Sequence, residues 1–162
     1  NLVNAFDPID QRKTHWIRSI TKGTTTWYHS FKYKRNAKAA DSNEYSIVFR
    51  LAEQYLIRAE ARAMQGDLIG AKEDLNVIRH TAGLPNTTAV SAIEIREAII
   101  KERRLEFFTE FGHRFFDLKR VGNLDSALSI SKPKWSDNDA LWPIPAQELS
   151  ANPNLNPQNT GY

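Results

Sequence analysis

The placement of a single Gly-Asp step commits the middle of this chain to a pair of helices. Ile47, Leu51, Tyr55, Ala59 and Ala63 fall four apart, with Val48, Ala52 and Leu56 beside them. That spacing predicts a helix over residues 44–65 with a broad apolar stripe facing a core. Gly66 suits the end of that helix and Asp67 the cap of the next. A second helix is predicted over residues 68–81, burying Leu68, Ala71, Leu75 and Ile78, with Gly83 and Pro85 stopping it. A turn this short makes the two helices antiparallel neighbours. Ala59 and Ala71 remove the bulk that would hold them apart.

A second start signal lies at Ser91-Ala-Ile-Glu94, a capping box in which the serine caps the helix and the glutamate reaches back. The helix it opens is predicted over residues 91–111, roughly 30 Å long. Ile95, Ile99 and Phe107 or Phe108 form its buried side, and Gly112 stops it. A shorter helix follows over residues 113–120, ended by Gly122. Residues 123–140 read as polar and irregular, with a brief helix at 124–128. Residues 1–23 read as loop with room for one helical turn. Over residues 24–34, Trp27, His29, Phe31 and Tyr33 alternate with Tyr28, Ser30, Lys32 and Lys34, which predicts an edge strand.

The last 22 residues, 141–162, hold four of the seven prolines and four asparagines, yet Leu141, Trp142, Ile144 and Leu149 are too apolar for a solvated linker. Each proline fixes φ and removes a backbone donor. Such a segment suits a rigid strap over a preformed surface, with Trp142 as its structural anchor. Pro145 is placed to open a helical turn through Leu149. The fold class is therefore mainly α: a helical hairpin, a long helix, a short edge strand and an irregular Pro/Asn-rich C-terminal strap. The hairpin resembles one tetratricopeptide unit, although Arg62 stands where that repeat favours an aromatic. Stacked repeats need neighbours to complete their cores, so a lone hairpin is expected to leave apolar surface exposed.

Three blocks in order carry a wider resemblance. Phe49-Arg-Leu-Ala-Glu-Gln-Tyr-Leu-Ile-Arg-Ala-Glu-Ala61 is the first. Glu102-Arg-Arg-Leu-Glu-Phe-Phe followed by Glu110-Phe-Gly-His-Arg-Phe-Phe-Asp-Leu-Lys-Arg120 is the second. Pro143-Ile-Pro, Asn152-Pro and Gln158-Asn-Thr-Gly-Tyr162 close the third. Together they resemble the SusD/RagB family over residues 44–162. The chain reads as a single domain forming the C-terminal part of a longer protein of that kind, with residues 1–43 a loop and strand lead-in to the framework at 44–162.

Composition limits what this resemblance can imply. A 162-residue chain is long enough to bury roughly two-thirds of its unfolded surface. A formal charge of +3 is too small and too evenly spread to indicate nucleic acid. The one basic cluster, Lys32, Lys34, Arg35 and Lys38, reads as a solvated loop. There is no cysteine, so disulfide and thiolate chemistry are excluded. No stretch approaches the roughly 20 apolar residues of a membrane helix.

Candidate chemistry concentrates on the long helix. Glu102, Glu106 and Glu110 share one face. A glycosidase sets two carboxyls of different pKa across a cleft, which one helical stripe does not provide. With Arg96, Arg103, Arg104 and Arg114 within reach as partners, these carboxylates read as a structural ion-pair network. Asp117 lies three residues from both Arg114 and Arg120, the spacing of intrahelical pairs. A second architectural reading has Arg114 or Asp117 reaching the backbone of the strap. The histidines at 15, 29, 80 and 113 lack metal-binding spacing, and no phosphate loop or nucleophile elbow appears. Neither a cofactor nor an enzymatic activity is expected. Trp135, in Pro133-Lys-Trp-Ser-Asp-Asn-Asp139, and Trp27 are the candidates for stacking on a sugar ring.

The resemblance implies a lipid-anchored protein of the outer membrane surface that captures a glycan or other nutrient without cleaving it. It also implies a partner, a TonB-dependent transporter of the SusC-like kind, to which the nutrient is delivered. The alternative drawn from the hairpin is a helical-repeat scaffold for protein–protein interaction.

Overall fold

The computed structural model describes residues 2–34 and 44–162. They form two compact units, Asn1–His113 and Arg114–Tyr162. The first contains α1 (Gln11–Trp16), β1 (Ile17–Lys22), β2 (Thr25–Ser30), α2 (Leu51–Met64), α3 (Leu68–Thr81) and α4 (Ala92–Glu106). α5 (His113–Arg120) begins at the boundary. The second unit continues with α6 (Leu124–Ser131), a 3-10 turn at Asp137–Ala140, α7 (Ala146–Ala151) and a 3-10 turn at Pro153–Leu155. The fold is mainly helical, as the periodicity predicts.

α2 and α3 form the expected antiparallel pair, and α4 packs across both. Their core holds Leu56, Ala59 and Ala63 of α2, Ala71, Leu75 and Ile78 of α3, Ile95 and Ile99 of α4, and Phe107. Ala59 and Ala71 are fully buried, so the helices approach through their small residues. Ile57, Met64 and Ile69, on α2 and α3 outside this core, are exposed, as a lone hairpin is expected to leave them.

Arg62, the outlier in the repeat pattern, has a use. Arg58 forks onto Asp74 at 2.8 and 2.6 Å, Arg62 adds a bond to the same carboxylate at 2.9 Å, and it also donates to the Gly70 carbonyl at 3.2 Å. A charged clasp replaces an aromatic contact between α2 and α3. Asp74 is therefore held below the usual carboxylate range, chiefly by its hydrogen bond to Arg58 and against a smaller effect of burial. The sign of the linkage follows. Its contribution to stability is complete above the ordinary value of 3.8 and is lost as pH falls through the lower folded value. Asp74→Asn is expected to lower the melting temperature at neutral pH and to flatten the wild-type decline below about pH 4. Melting curves from pH 2 to 7 check both limbs.

β2 stops at Ser30 rather than residue 34 and α6 runs to Ser131 rather than 128, and three larger differences from the sequence reading stand beside these. α2 starts at Leu51, not near Glu44, because Arg50 lies in the extended region and its side chain turns to the end of α4. Glu44 accepts the Lys34 amide, and the Ile47 amide donates to the Tyr33 hydroxyl, so 44–50 carry no helix and Ile47 and Val48 are exposed. α4 ends at Glu106 rather than Phe111: the Glu106 carbonyl accepts from Lys32 and Arg50, and Thr109 and Phe111 have positive φ. Phe107 and Phe108 are both buried, but in different clusters, Phe108 with Phe6 and Leu105.

The third difference is the lead-in. Residues 1–23 contain α1, capped by Asp10, and a whole strand, β1, antiparallel to β2. The pair turns through Gly23 at φ +61°, the left-handed conformation a two-residue hairpin needs. β1 escaped the periodicity argument because all but its first residue are exposed, so no burial alternation marks it.

In the second unit the strap is closed by side chains that substitute for a strand partner. Gln158 accepts the Ile144 amide at 2.8 Å and donates to the Ile144 carbonyl at 2.8 Å. Asn159 donates to the Trp142 carbonyl at 2.6 Å, and the Tyr162 hydroxyl donates to that of Leu141 at 3.0 Å. Gly161 is required where it stands, since a Cβ there would lie 2.7 Å from the Asn138 side chain. The Trp142 backbone is anchored, but its side chain, expected as the anchor, is exposed. Gln158→Ala is expected to cost about 1–3 kcal/mol of local stability by leaving part-buried groups of Ile144 unpaired. Faster hydrogen exchange at the Ile144 amide, with the α3 amides unchanged, checks this.

Candidate functional site

The i, i+4 spacing of Glu102, Glu106 and Glu110 gathers charge around the C-terminal end of α4. Asp10, Glu102 and Glu106 surround Arg12 almost without solvent. Arg12 Nη2 lies 2.7 Å from Asp10 Oδ2 and 2.6 Å from Glu102 Oε1, while Nη1 lies 2.9 Å from Glu106 Oε2. Arg50 pairs with Glu106 and, at 3.0 Å, with Glu110. Lys32 pairs with Glu110, and Arg79 of α3 approaches Glu102 at 3.4 Å. Four cations thus balance four carboxylates.

Aromatic rings close the cluster. The Lys32 ammonium lies 4.7 Å from the Trp16 ring centroid and 4.2 Å from that of Phe108. Arg50 lies 5.4 Å from the rings of Trp16 and Phe107. Burial opposes the charge on Arg12, but hydrogen bonds and fields from Asp10, Glu102 and Glu106 outweigh it, and its pKa rises above the ordinary arginine value. Burial also pushes Lys32 below the ordinary lysine value, with Glu110 resisting and Arg50 adding to the fall. Lys32, expected in a solvated loop, is instead part of the interior. Arg35 and Lys38 of the same cluster lie outside the described residues.

The partners expected for the α4 carboxylates were neighbouring arginines. The actual partners come from α1, from the segments flanking residues 35–43 and from α3. Arg103 is buried, but its guanidinium lies over the Phe107 ring at 5.3 Å and 4.0 Å from Glu53. Arg12 and Arg50 were missed because they stand 94 and 56 residues from Glu106, beyond any helical or strand period. The local sign was the Asp10–Arg12 spacing, which places a carboxylate at a helix cap beside its cation.

On α5, buried Asp117 accepts from Arg120 at 3.0 and 2.9 Å, the intrahelical pair expected. Arg114 stands on the same helix, partly buried. Trp27 lies half exposed on β2 in the first unit. Trp135, in the second unit, is partly buried, and its indole Nε1 donates to Asp125 at 2.9 Å.

Beside the ion-pair cluster lies a cavity of about 450 Å³, walled by Trp16, Phe49, Tyr55 and Val77, with Arg12 and Glu106 at its polar side. The carboxylate that lines it, Glu106, faces Arg12 and Arg50. A general acid instead requires a carboxyl kept protonated by an apolar or like-charged setting. The chemistry these pairs supply is the clamping of chain segments to one another.

The same segments carry the likeness to known proteins. A model of the SusD family matches residues 11–162. The SusD-like protein P2 of Formosa agariphila is 33% identical over 153 residues, covering 83% of this chain and 30% of that protein. The starch-binding protein SusD of Bacteroides thetaiotaomicron is 33% identical over 127 residues, covering 71% of this chain and 21% of its own length. A solved SusD homologue from Bacteroides thetaiotaomicron superposes with a TM-score of 0.71 at 26% identity, over 98% of this chain and 37% of that one. The chain therefore spans less than a third of the length of these two sequence relatives. Since the family model runs from α1, where Arg12 enters the cluster, to the final Tyr162, the chain belongs to the SusD family.

Proposed function

We propose that this chain is the C-terminal part of a surface protein that captures a glycan or other nutrient without cleaving it and delivers it to a TonB-dependent transporter. The observation that carries the reading is the pairing of Glu102, Glu106 and Glu110 with cations from other segments. Most enzymes that cleave glycans set two carboxyls across the scissile bond, one as general acid and the other as base or nucleophile. Here the same residue type is spent on architecture, which suits a framework that presents ligand contacts elsewhere. Starch binding by the relative from Bacteroides thetaiotaomicron supports a glycan as the nutrient class. Trp27 and Trp135 are the proposed stacking residues: flat aromatic faces match the apolar C–H faces of sugar rings. A lipid anchor in the outer membrane belongs to the same reading.

The test is to tag the full-length protein in its native cell, extract the outer membrane gently and identify co-purifying proteins by mass spectrometry. A stoichiometric TonB-dependent transporter is the expected result. Its absence, under conditions that preserve other such complexes, would remove the delivery step. Recovery instead of a soluble partner bound through the exposed Ile57, Met64 and Ile69 of α2 and α3 would favour an interaction scaffold.

A further inference from the structure

The β1–β2 hairpin has a face that the framework does not use. The register pairs Arg18 with His29, Ile20 with Trp27 and Lys22 with Thr25, so these six side chains share one side of the ribbon. All six are exposed, with Ile20 at 61% and Trp27 at 53%. Every ionisable group on this face is basic. Its opposite side carries Ser19, Thr21, Thr26 and Tyr28, with no carboxylate among them. Of the nearest described acids along the chain, Asp10 before the ribbon is engaged by Arg12 and Glu44 after it accepts the Lys34 amide.

The face is also held in shape. The Arg18 guanidinium lies over the Phe31 ring at 4.7 Å, and the Lys34 ammonium lies at 4.5 Å from the same ring. The Phe31 amide donates to the Trp16 carbonyl at 2.7 Å, which ties the ribbon to the end of α1. Arg18 is thus positioned by a ring contact, and among the described residues its exposed guanidinium has no hydrogen-bond acceptor. Trp27 sits about 5 Å across from Ile20, and Arg18 and Lys22 flank that pair at ~7 Å steps along the strand.

We infer that this face binds an acidic polysaccharide, with a sugar ring stacked on Trp27 and carboxylate or sulfate groups paired with Arg18 and Lys22. The inference rests on the glycan-capture reading above and adds to it the charge class of the ligand. Charge complementarity selects the occupant: a neutral glycan would gain from Trp27 but has no use for cations on either side. An apolar protein partner would leave those cations desolvated and unpaired. Because the cations are exposed, their contribution is screened by salt.

The experiment measures binding of the full-length protein to polygalacturonate, to dextran sulfate and to neutral dextran by affinity electrophoresis and calorimetry, in about 20 and 200 mM salt. Variants are Trp27→Ala and the double substitution Arg18→Gln/Lys22→Gln, with melting curves to verify folding. Expected is binding of at least one acidic polymer, weakened on the order of tenfold by the double substitution and by high salt. Preference for the carboxylated or the sulfated polymer assigns the anionic group. Trp27→Ala is expected to weaken binding to the acidic polymer as well. Acidic-polymer binding untouched by the double substitution overturns the inference. So does binding of neutral dextran alone, which leaves glycan capture standing; binding of no glycan by any measure overturns both. Adsorption to phosphatidylglycerol vesicles, lost in Trp27→Ala and without polysaccharide binding, would make the face a membrane contact and likewise overturn the inference.

Discussion

Arg12→Ala is expected to lower the unfolding free energy by about 3–5 kcal/mol, more than any other single change to the ion-pair cluster. The guanidinium touches Asp10, Glu102 and Glu106 at 2.7, 2.6 and 2.9 Å, and all four residues are buried. Removing it leaves three carboxylates facing one another, with Arg50 and Arg79 too few to neutralise them. For a chain of this size the melting temperature should fall by roughly 6–20 °C. Arg12→Met separates charge from packing: if unpaired carboxylates cause the loss, restoring the stem will not rescue it. The pH dependence provides a second check. Buried carboxyls without a cation take up protons more readily, so the gap between variant and wild type should narrow as pH falls toward about 4. Urea unfolding at pH 7 and pH 4.5 measures both quantities. A loss below about 1 kcal/mol would mean that water, not Arg12, satisfies these groups.

Phe107→Ala is the second large effect, with about 3–5 kcal/mol lost. Phe107 is 2% exposed and joins two kinds of interior. One side closes the apolar core of α2, α3 and α4, and the ring also receives the guanidinium groups of Arg50 and Arg103 at 5.4 and 5.3 Å. Phe107→Leu keeps much of the apolar volume but forfeits the cation contacts, which are worth about 0.5–1 kcal/mol each where partly exposed. It should therefore lie between wild type and alanine. Phe108→Ala empties the smaller cluster with Phe6 and should disturb the lead-in segment before the three-helix core. Hydrogen exchange resolved by segment distinguishes the two.

These residues show where the sequence was readable. α3 matched its predicted bounds because an aspartate cap, a clean apolar period and a following glycine agreed with one another. The Ser91 capping box opened α4 as expected, and Pro145 preceded a short helix. α2 failed at its start although Ile47 and Val48 kept the helical period, because Arg50 is drawn to carboxylates 56 and 60 residues away. A period reports what a segment can bury, whereas an ion pair between distant segments can hold the backbone extended regardless.

The candidate site divides in the same way. That Glu102, Glu106 and Glu110 lie on one face follows from helical geometry alone, and the paired state of Asp117 follows from i, i+3 spacing. Which cations meet the glutamates does not. Arg12, Lys32, Arg50 and Arg79 are ordinary members of loops, short helices and a basic run until the chain is folded. Trp142 teaches the converse: an apolar residue in a rigid strap was expected inside, but hydrogen bonds to its backbone do the anchoring and leave the ring in solvent.

By itself, then, the sequence determined the mainly helical class, the hairpin with its alanine contact, the capped helix and the family resemblance. Each is written in local spacing or in a contiguous motif. Only the tertiary structure decided the ends of α2 and α4, the β1–β2 pairing with its basic face, and the membership of the buried charge cluster. The physical reason is that hydrogen bonds and ion pairs between segments depend on distances that chain spacing does not encode.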